Sequence, residues 1–233
     1  MPAAILTLIL SIAFAISPYL GQPFMGYRAD QLPIPQPEPP VQPAGYAFAI
    51  WLVIYLWLIV SAAYGVWKRS GDPAWARVRL PLIGALALGT SWTAIANTSA
   101  IWSTVVIFAM LVFAAAALLG CPSRDRWLLR APVGLLAGWL TAASFASLGV
   151  VASGYGLSFG PVGWAWVCIL LALVVALSVQ WHAPGAWGYG AAVAWALVAI
   201  AVRNGAPQWD LTLLALVGAV AVAGVAARGA LRA

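Results

Sequence analysis

Residues 33–55 read PIPQPEPPVQPAGYAFAIWLVIY, a proline-rich segment that runs directly into an apolar one. Six prolines occur in the eleven positions 33–43, which excludes a helix or a central strand and predicts a stiff, extended segment. In a helix that follows, Phe48, Trp51 and Tyr55 share one face, because residues three and four apart are neighbours on a helix surface. The stretch therefore predicts a rigid lid directly above an aromatic stripe.

The composition of the chain places these segments in a membrane. Of 233 residues, 64% are apolar and 7% are charged, and the mean hydropathy is +0.98. Soluble domains are about 45–50% apolar and about 25% charged, so this chain cannot cover a water-exposed surface. Unbroken apolar runs of about 20 residues predict transmembrane helices rather than outer-membrane strands. The predicted fold class is all-α integral membrane, and the net charge of +6 is assigned to loops rather than to nucleic-acid binding.

Apolar windows predict eight spans, with both termini in the cytoplasm. They cover residues 2–20, 45–67, 80–98, 101–120, 128–150, 161–181, 186–203 and 209–228. With eight spans, nine of the eleven Lys and Arg residues fall in alternate connections or in the tail, which sets the orientation by the positive-inside rule. Residues 1–20 are predicted to be a retained helix rather than a signal peptide, because no basic segment precedes the apolar run. The membrane we expect is the bacterial cytoplasmic membrane.

Motifs in three of the predicted spans resemble one known family. The second span begins with P-x-G-x-x-F-x-x-W-x-x-I-Y over residues 43–55. Asn97 and Trp102 form a polar–aromatic pair around the end of the third span, and Trp139 and Phe145 follow a proline in the fifth. Together with the proline-rich first loop, this set resembles the TspO/MBR family, the bacterial tryptophan-rich sensory proteins and the mitochondrial translocator. Where that family carries a polar Asn late in the fifth helix, this chain has Ser147.

The resemblance covers residues 1–150 and implies both a fold and a site. It implies a TspO-like five-helix bundle with a proline-rich extracytoplasmic loop over residues 21–44, followed by three additional helices over residues 151–233. It also implies a pocket beneath the loop for a porphyrin or another flat apolar molecule. The implied ligand-binding residues are Phe48, Trp51, Tyr55, Asn97, Trp102, Trp139 and Phe145, and the implied lid residues are Pro39, Pro40 and Pro43.

The sequence identifies no catalytic residue and no metal site, and it leaves the cofactor unknown; a porphyrin or other tetrapyrrole as ligand is what the resemblance implies. No Asp, Glu, Lys or Arg lies clearly inside any predicted span, and Arg130 and Arg203, which border spans, are expected to reach toward the interface. Charged residues inside spans are the usual mark of ion-coupled transport. His182 is the single histidine, and Cys121 and Cys168 lie in different segments without metal-ligand spacing. The question of enzyme activity is left open, with the residues favouring a binding protein.

Three functions are compatible with this pattern. The first is a membrane sensor or regulator that binds a tetrapyrrole. The second is an accessory structural subunit of a larger photosynthetic or respiratory complex, and the third is a transporter of a neutral apolar molecule. The expected partners are the lipid bilayer, an apolar ligand, and either a second copy or other subunits. Small residues on spans five and eight permit close helix approach, within the chain or in a homodimer: Gly134, Gly138, Ala215, Ala219, Ala223 and Ala227.

Overall fold

The structure is a computed structural model that describes residues 1–22, 24 and 26–232, with all side chains except that of Arg232. Regular structure in this part of the chain is helical throughout. The long helices are α1 (Pro2–Ile16), α2 (Ile50–Arg69), α3 (Pro73–Ala96), α4 (Ala100–Leu119), α5 (Ala131–Gly154), α6 (Gly160–His182), α7 (Trp187–Asn204) and α8 (Trp209–Arg232). Seven of these eight are long and apolar enough to cross a membrane, and α7 is the exception. The predicted all-α integral membrane fold is confirmed.

The helix boundaries follow from local capping chemistry. The side chain of Asp72 accepts a hydrogen bond from the backbone N–H of Ala74 at 2.9 Å and so caps α3. The side chain of Ser99 caps α4 in the same way, by accepting from the backbone N–H of Trp102 at 3.3 Å. The polar break predicted inside the apolar run 80–120 is therefore present, and it separates α3 from α4.

The connections meet in two groups at opposite ends of the bundle. At one end, Arg69, the last residue of α2, pairs with Asp125 before α5. At the other end, the side-chain N–H of Asn97 after α3 donates to the backbone oxygen of Gln22 in the first loop, and that of Asn204, the last residue of α7, donates to the backbone oxygen of Pro40. Alternate connections thus share one end, as eight crossings require. The end that holds Arg69 carries most of the basic residues and is the predicted cytoplasmic side.

Helix α5 is the centre of the bundle. All of its residues are buried or nearly so, and only Ala143, Leu148 and Val151 retain partial exposure. It packs on α4 along one side and on α6 and α7 along the other. The helices before and after residue 150 therefore share one central element.

The Gly134–Gly138 face of α5 is occupied by α7. A Cβ atom on Gly138 would lie 2.3 Å from the backbone oxygen of Tyr189, and one on Gly134 would lie 3.0 Å from its backbone nitrogen. The hydroxyl groups of Thr141 and Tyr189 are hydrogen-bonded at 2.9 Å along the same contact. Of the two alternatives for this motif, the structure shows internal packing.

The predicted stripe of small residues on α8 is in close helix contact only in its first half. Ala215 and Ala219 are buried, whereas Ala223 and Ala227 are exposed. A strict four-residue spacing drifts around a helix that has 3.6 residues per turn, so the buried face moves to Val222 and Ala226.

The prediction that no charged residue enters a span is wrong at Arg79. Helix α3 begins at Pro73 rather than at residue 80, and Arg79 is 4% exposed within it. Its guanidinium donates to the backbone oxygens of Gly65, Arg69 and Ser70 at 3.0, 2.7 and 3.2 Å. These oxygens belong to the C-terminal end of α2, where a cation is favoured by the helix dipole. Arg79 thus joins α2 to α3 at the cytoplasmic end.

Asp125 links the α2–α3 and α4–α5 connections. Its carboxylate accepts from Nε of Arg69 at 2.8 Å and from the indole N–H of Trp75 at 2.9 Å. The hydrogen bond from Arg69 is the largest cause that lowers the pKa of Asp125 below its usual range, and the indole N–H of Trp75 adds to it. Arg124 pairs with Asp72 beside this group. The cluster closes the cytoplasmic end of the first five helices.

We expect Gly138→Ala to destabilise the protein by about 1–3 kcal/mol, because the new methyl group meets a backbone oxygen that cannot move away cheaply. Thermal unfolding of the full chain in detergent measures the effect. Gly224→Ala on α8 is the control, since a Cβ there meets nothing within 4 Å and Ala is the better helix former. Equal unfolding temperatures for the two variants would contradict the close α5–α7 contact.

We expect Asp125→Asn to lower stability at neutral pH by about 1.5–3 kcal/mol, the range for hydrogen bonds to charged groups. The pKa of Asp125 is lowered on folding, so its contribution is complete above the unfolded pKa of about 4 and is lost as the pH falls through the folded value. The difference between wild type and variant, followed by thermal unfolding, should therefore shrink at acid pH. Asp30→Asn removes an exposed ion pair and serves as the control. A difference that does not depend on pH would exclude this role.

Candidate ligand cavity

A cavity lies inside the first five helices, below the first loop. Its larger part has a volume of about 240 Å³, and an adjoining part of about 60 Å³ continues toward the loop. The two parts share wall residues on α3, α4 and α5, in the first loop and in the short helical turn that leads into α2: Phe24, Phe48, Trp92, Ile107, Trp139 and Ala143. The bundle and the loop together therefore enclose one continuous apolar space.

Aromatic rings form the wall that faces α1 and α2. The rings of Trp51 and Tyr55 are stacked, with centroids 5.4 Å apart and an angle of 16° between their planes. Phe14 of α1 meets both rings edge-on, at 5.7 and 5.0 Å. Trp139 of α5 meets Trp51 and Phe48 edge-on, at 6.0 and 5.7 Å. Edge-to-face pairs hold the rings at defined angles, so the wall is preformed.

The indole of Trp139 is the polar feature at the middle of this wall. The residue is 1% exposed and lines both parts of the cavity. Its Nε1–H has no hydrogen-bond partner within the described part of the chain. A buried donor without a partner costs about 1–3 kcal/mol. A ligand with a hydrogen-bond acceptor at this point would remove that cost.

A group of hydroxyls forms the other polar feature, at the end of the cavity near the loop. The hydroxyl of Tyr27 is hydrogen-bonded to Ser147 of α5 and, at 2.9 Å, to Ser103 of α4. Ser147 is also bonded to Thr104 at 2.7 Å. Tyr27 and Ser147 line the cavity, and no described lining residue is charged. The hydroxyls satisfy one another, so this end is polar without a net charge.

The first loop forms the roof. Phe24, Gly26, Tyr27, Gln42 and Pro43 line the upper part of the cavity. Of the three predicted lid residues, Pro43 is in this wall, whereas Pro39 and Pro40 lie beside it and are not lining residues. The backbone oxygen of Pro40 instead accepts a hydrogen bond from Asn204 of α7.

Helix α7 holds the roof through three hydrogen bonds. The amide of Asn204 donates to the oxygen of Pro40 at 2.8 Å, and the indole of Trp195 donates to the oxygen of Ala47 at 3.0 Å. Between them, the backbone N–H of Ala44 donates to the oxygen of Ala199 at 3.1 Å. The proline-rich segment cannot form regular structure of its own, so its position depends on these external partners. One of the three added helices therefore takes part in building the cavity.

Four of the seven predicted ligand-binding residues line the cavity, and three do not. The four are Phe48, Trp51, Tyr55 and Trp139. Asn97 instead fastens the first loop, because its side-chain N–H donates to Gln22 at 2.7 Å and its backbone oxygen accepts from Arg28. The ligand-binding role of the four lining residues remains a prediction.

Trp102 and Phe145 point away from the cavity for reasons of helix geometry. Trp102 is 64% exposed on the outer face of α4, since the inward face begins one residue later, at Ser103. Phe145 follows Trp139 by six residues, which turns it about 240° around α5. It packs on Phe108 at 5.3 Å and lines a separate small void toward α6 and α7.

Several lining residues could not be identified from the motifs. Trp92 is one, and its indole donates to the backbone oxygen of Ser103 at 3.0 Å while its ring contacts Phe24. Phe14 of α1 and Tyr27 of the loop are others, together with Phe24 itself. In the sequence these four residues resemble other apolar or loop residues. What makes them lining residues is that their side chains point toward the cavity, which only the structure shows.

The fold and the cavity together define an integral membrane protein of the sensor or binding type, built around a roofed aromatic space. A family model described as TSPO-like protein matches residues 3–228. The chain therefore belongs to the TSPO-like family. The match includes α6, α7 and nearly all of α8, so it extends well beyond the first 150 residues that carry the motifs. No curated protein and no solved structure matches the chain.

We expect Asn204→Ala to loosen the roof, because the oxygen of Pro40 loses its donor. A lost hydrogen bond of about 1 kcal/mol corresponds to about fivefold faster opening. Hydrogen exchange at the amides of Gln42 and Ala44, measured on the intact protein, reports this opening. Arg203→Ala, at the neighbouring position, serves as the control. Unchanged exchange in Asn204→Ala would mean that α7 does not hold the roof.

Proposed function

We propose that this protein binds a flat, apolar ligand of the tetrapyrrole type in the roofed cavity and acts as a membrane sensor or regulator. The observation that carries the proposal is the unpartnered indole N–H of Trp139, buried in a wall of aromatic rings around a space of about 240 Å³. Pockets for small molecules are mostly apolar, with a few polar groups that orient the ligand. This cavity has that arrangement.

The wall favours a ligand with an extended π-system. The stacked pair of Trp51 and Tyr55 lies on one side, and the edges of Phe14 and Trp139 are set against it. A flat ring that enters this space buries its apolar surface and also makes aromatic contacts with the wall. Each aromatic pair contributes about 0.5–1.5 kcal/mol in addition to the burial of surface area.

The cavity does not favour ion-coupled transport. Proton or ion relays in membranes use paired acidic or basic residues that face the interior. The described cavity wall contains none, and the buried Arg79 lies at the cytoplasmic end with three backbone partners. If a bound tetrapyrrole reacts, its own chemistry supplies the reactivity, and the protein supplies enclosure and orientation.

The role of α7 favours a binding protein over an accessory subunit. The added helices suggested a subunit because they carry no chemistry of their own. Since Asn204 and Trp195 anchor the roof, the cavity itself accounts for at least α7.

We expect protoporphyrin IX to quench tryptophan fluorescence of the purified full chain with saturable binding. Trp51→Ala should weaken binding about tenfold or more, as for a buried aromatic anchor. Trp139→Phe keeps an aromatic side chain but replaces the indole with a smaller ring that has no N–H, and should weaken binding about fivefold or more, the lower value being that of one hydrogen bond. Changes in dissociation constant, rather than in total quenching, are the quantities to compare.

Trp102→Phe is the matched control, because it removes an indole that faces outward on α4. Its affinity should equal that of the wild type. Equal affinity in Trp51→Ala and in wild type would exclude this cavity as the site, and equal weakening in all three variants would indicate a non-specific effect of tryptophan loss.

A further inference from the structure

The upper part of the roofed cavity contains a polar side chain with unused hydrogen-bonding groups, that of Gln42. It lines this part of the cavity together with Gly26 of the first loop. The side-chain amides of Gln31, Gln36 and Gln180 donate to backbone oxygens. The amide of Gln42 has no hydrogen-bond partner in the described part of the chain. It differs in this respect from the hydroxyl groups at the same end of the cavity, which satisfy one another.

The backbone holds Gln42 in a fixed place in the roof. Val41 before it and Pro43 after it are both buried. The side chain of Val41 packs on α5, where a Cβ atom on Gly149 would lie 3.0 Å from it. The backbone N–H of Gln42 donates to the oxygen of Pro39 at 3.0 Å. The side chain of Gln42 therefore extends from a backbone that is anchored on both sides.

The amide end of this side chain lies beside open space at the cavity wall. A Cβ atom on Gly26 would lie 3.8 Å from Nε2 and 3.9 Å from Oε1 of Gln42, and no other described atom outside the chain neighbours of Gly26 would lie within 4 Å. Since Gly26 itself lines the cavity, both polar atoms of the amide lie close to the lining surface. In either orientation the amide presents a donor and an acceptor. A ligand group that reaches the roof therefore meets both.

The described wall around this amide contains no cation. The first loop carries one basic and two acidic residues, Arg28, Asp30 and Glu38, and none of the three lines the cavity. The guanidinium of Arg28 is bonded to both carboxylate oxygens of Asp30 at 3.0 and 2.9 Å and to the backbone oxygen of Asn97. A carboxylate buried without a cation is costly, whereas a neutral polar group needs only its hydrogen bond.

We propose that Gln42 is a specificity-determining residue of the roofed cavity and selects a flat ring ligand whose polar substituents are uncharged. This inference rests on the function proposed above. The amide of Gln42 donates to an ester, ketone or amide oxygen at the edge of the ring. Ionised carboxylates at the same edge are disfavoured, because neither the wall nor the loop supplies a cation. The ligand class is thus a tetrapyrrole, or another flat ring, with neutral oxygen-containing substituents.

Three porphyrins with different substituents test the proposal. Protoporphyrin IX dimethyl ester carries two ester groups, protoporphyrin IX carries two carboxylates, and etioporphyrin carries only alkyl groups. Tryptophan quenching of the full chain in detergent gives each dissociation constant, corrected for the measured partition of each porphyrin into the micelles. In wild type the ester should bind about fivefold more tightly than etioporphyrin, the value of one hydrogen bond. It should also bind more tightly than the free acid at neutral pH.

Variants of Gln42 separate the hydrogen bond from the charge. Gln42→Met keeps the length of the side chain and should remove the fivefold advantage of the ester while leaving etioporphyrin affinity unchanged. Gln42→Lys supplies the missing cation and should strengthen binding of the free acid about tenfold or more, as for a hydrogen bond between charged groups. Gln36→Lys makes the same change of charge in the same loop but outside the cavity wall, and should leave all three affinities unchanged.

The outcomes that overturn the proposal are distinct from those that overturn the proposed function. An unchanged ratio of ester to etioporphyrin affinity in Gln42→Met would overturn it, as would an equal loss for all three porphyrins. Equal binding of the free acid and the ester by wild type would also overturn it. In each of these cases the porphyrins still bind, so the proposed function stands. If none of the three binds saturably, the proposed function fails and this inference fails with it.

Discussion

The close contact of α5 with α7 is the constraint on which the rest of the structure depends. Gly138 lets the backbone of Tyr189 approach to a distance that excludes even a methyl group, and the hydroxyls of Thr141 and Tyr189 bond along the same line. In lipid, helices gain little from hydrophobic burial and associate through close packing and hydrogen bonds. This contact positions α7 so that Asn204 and Trp195 can donate hydrogen bonds to the backbone of the first loop and of the turn before α2. The position of the roof therefore depends on glycines in the first part of α5 that let the start of α7 pack closely against it.

The second organising principle is the satisfaction of buried polar groups. The hydroxyls of Tyr27, Ser103 and Ser147 bond to one another, and Arg79 is bonded to three backbone oxygens. Only three buried side-chain atoms in the described residues lack a partner: Nε of Arg130, Nε1 of Trp139 and Oε1 of Gln180. Trp139 lines the roofed cavity, whereas Oε1 of Gln180 lies against Gly190 of α7. In a well-satisfied interior, such exceptions are where an external ligand has most to contribute.

Much of the fold could be predicted from the sequence, because membrane helices are determined by local composition. Unbroken apolar runs and the polar break at Asn97 were sufficient to predict eight helices, seven of which are long and apolar enough to cross a membrane. The motif over residues 43–55 correctly placed Phe48, Trp51 and Tyr55 on one inward face, since helical spacing alone decides which residues share a face. The predicted start of α3 at residue 80 was wrong, because its charged first turns do not read as an apolar span. The helix begins at Pro73, and Arg79 in it is bonded to backbone oxygens of α2.

The direction of each side chain across the bundle was decided only by the tertiary structure. The family resemblance implied cavity positions for Trp102 and Phe145. Trp102 faces outward because the inward face of α4 begins one residue later, at Ser103. Phe145 faces α6 and α7 because it lies six residues after the cavity residue Trp139 on α5. Phe14, Tyr27 and Trp92 became cavity residues only when α1, the loop and α3 were packed together. Helix formation depends on near neighbours in the chain, whereas a cavity and its roof depend on residues more than a hundred positions apart.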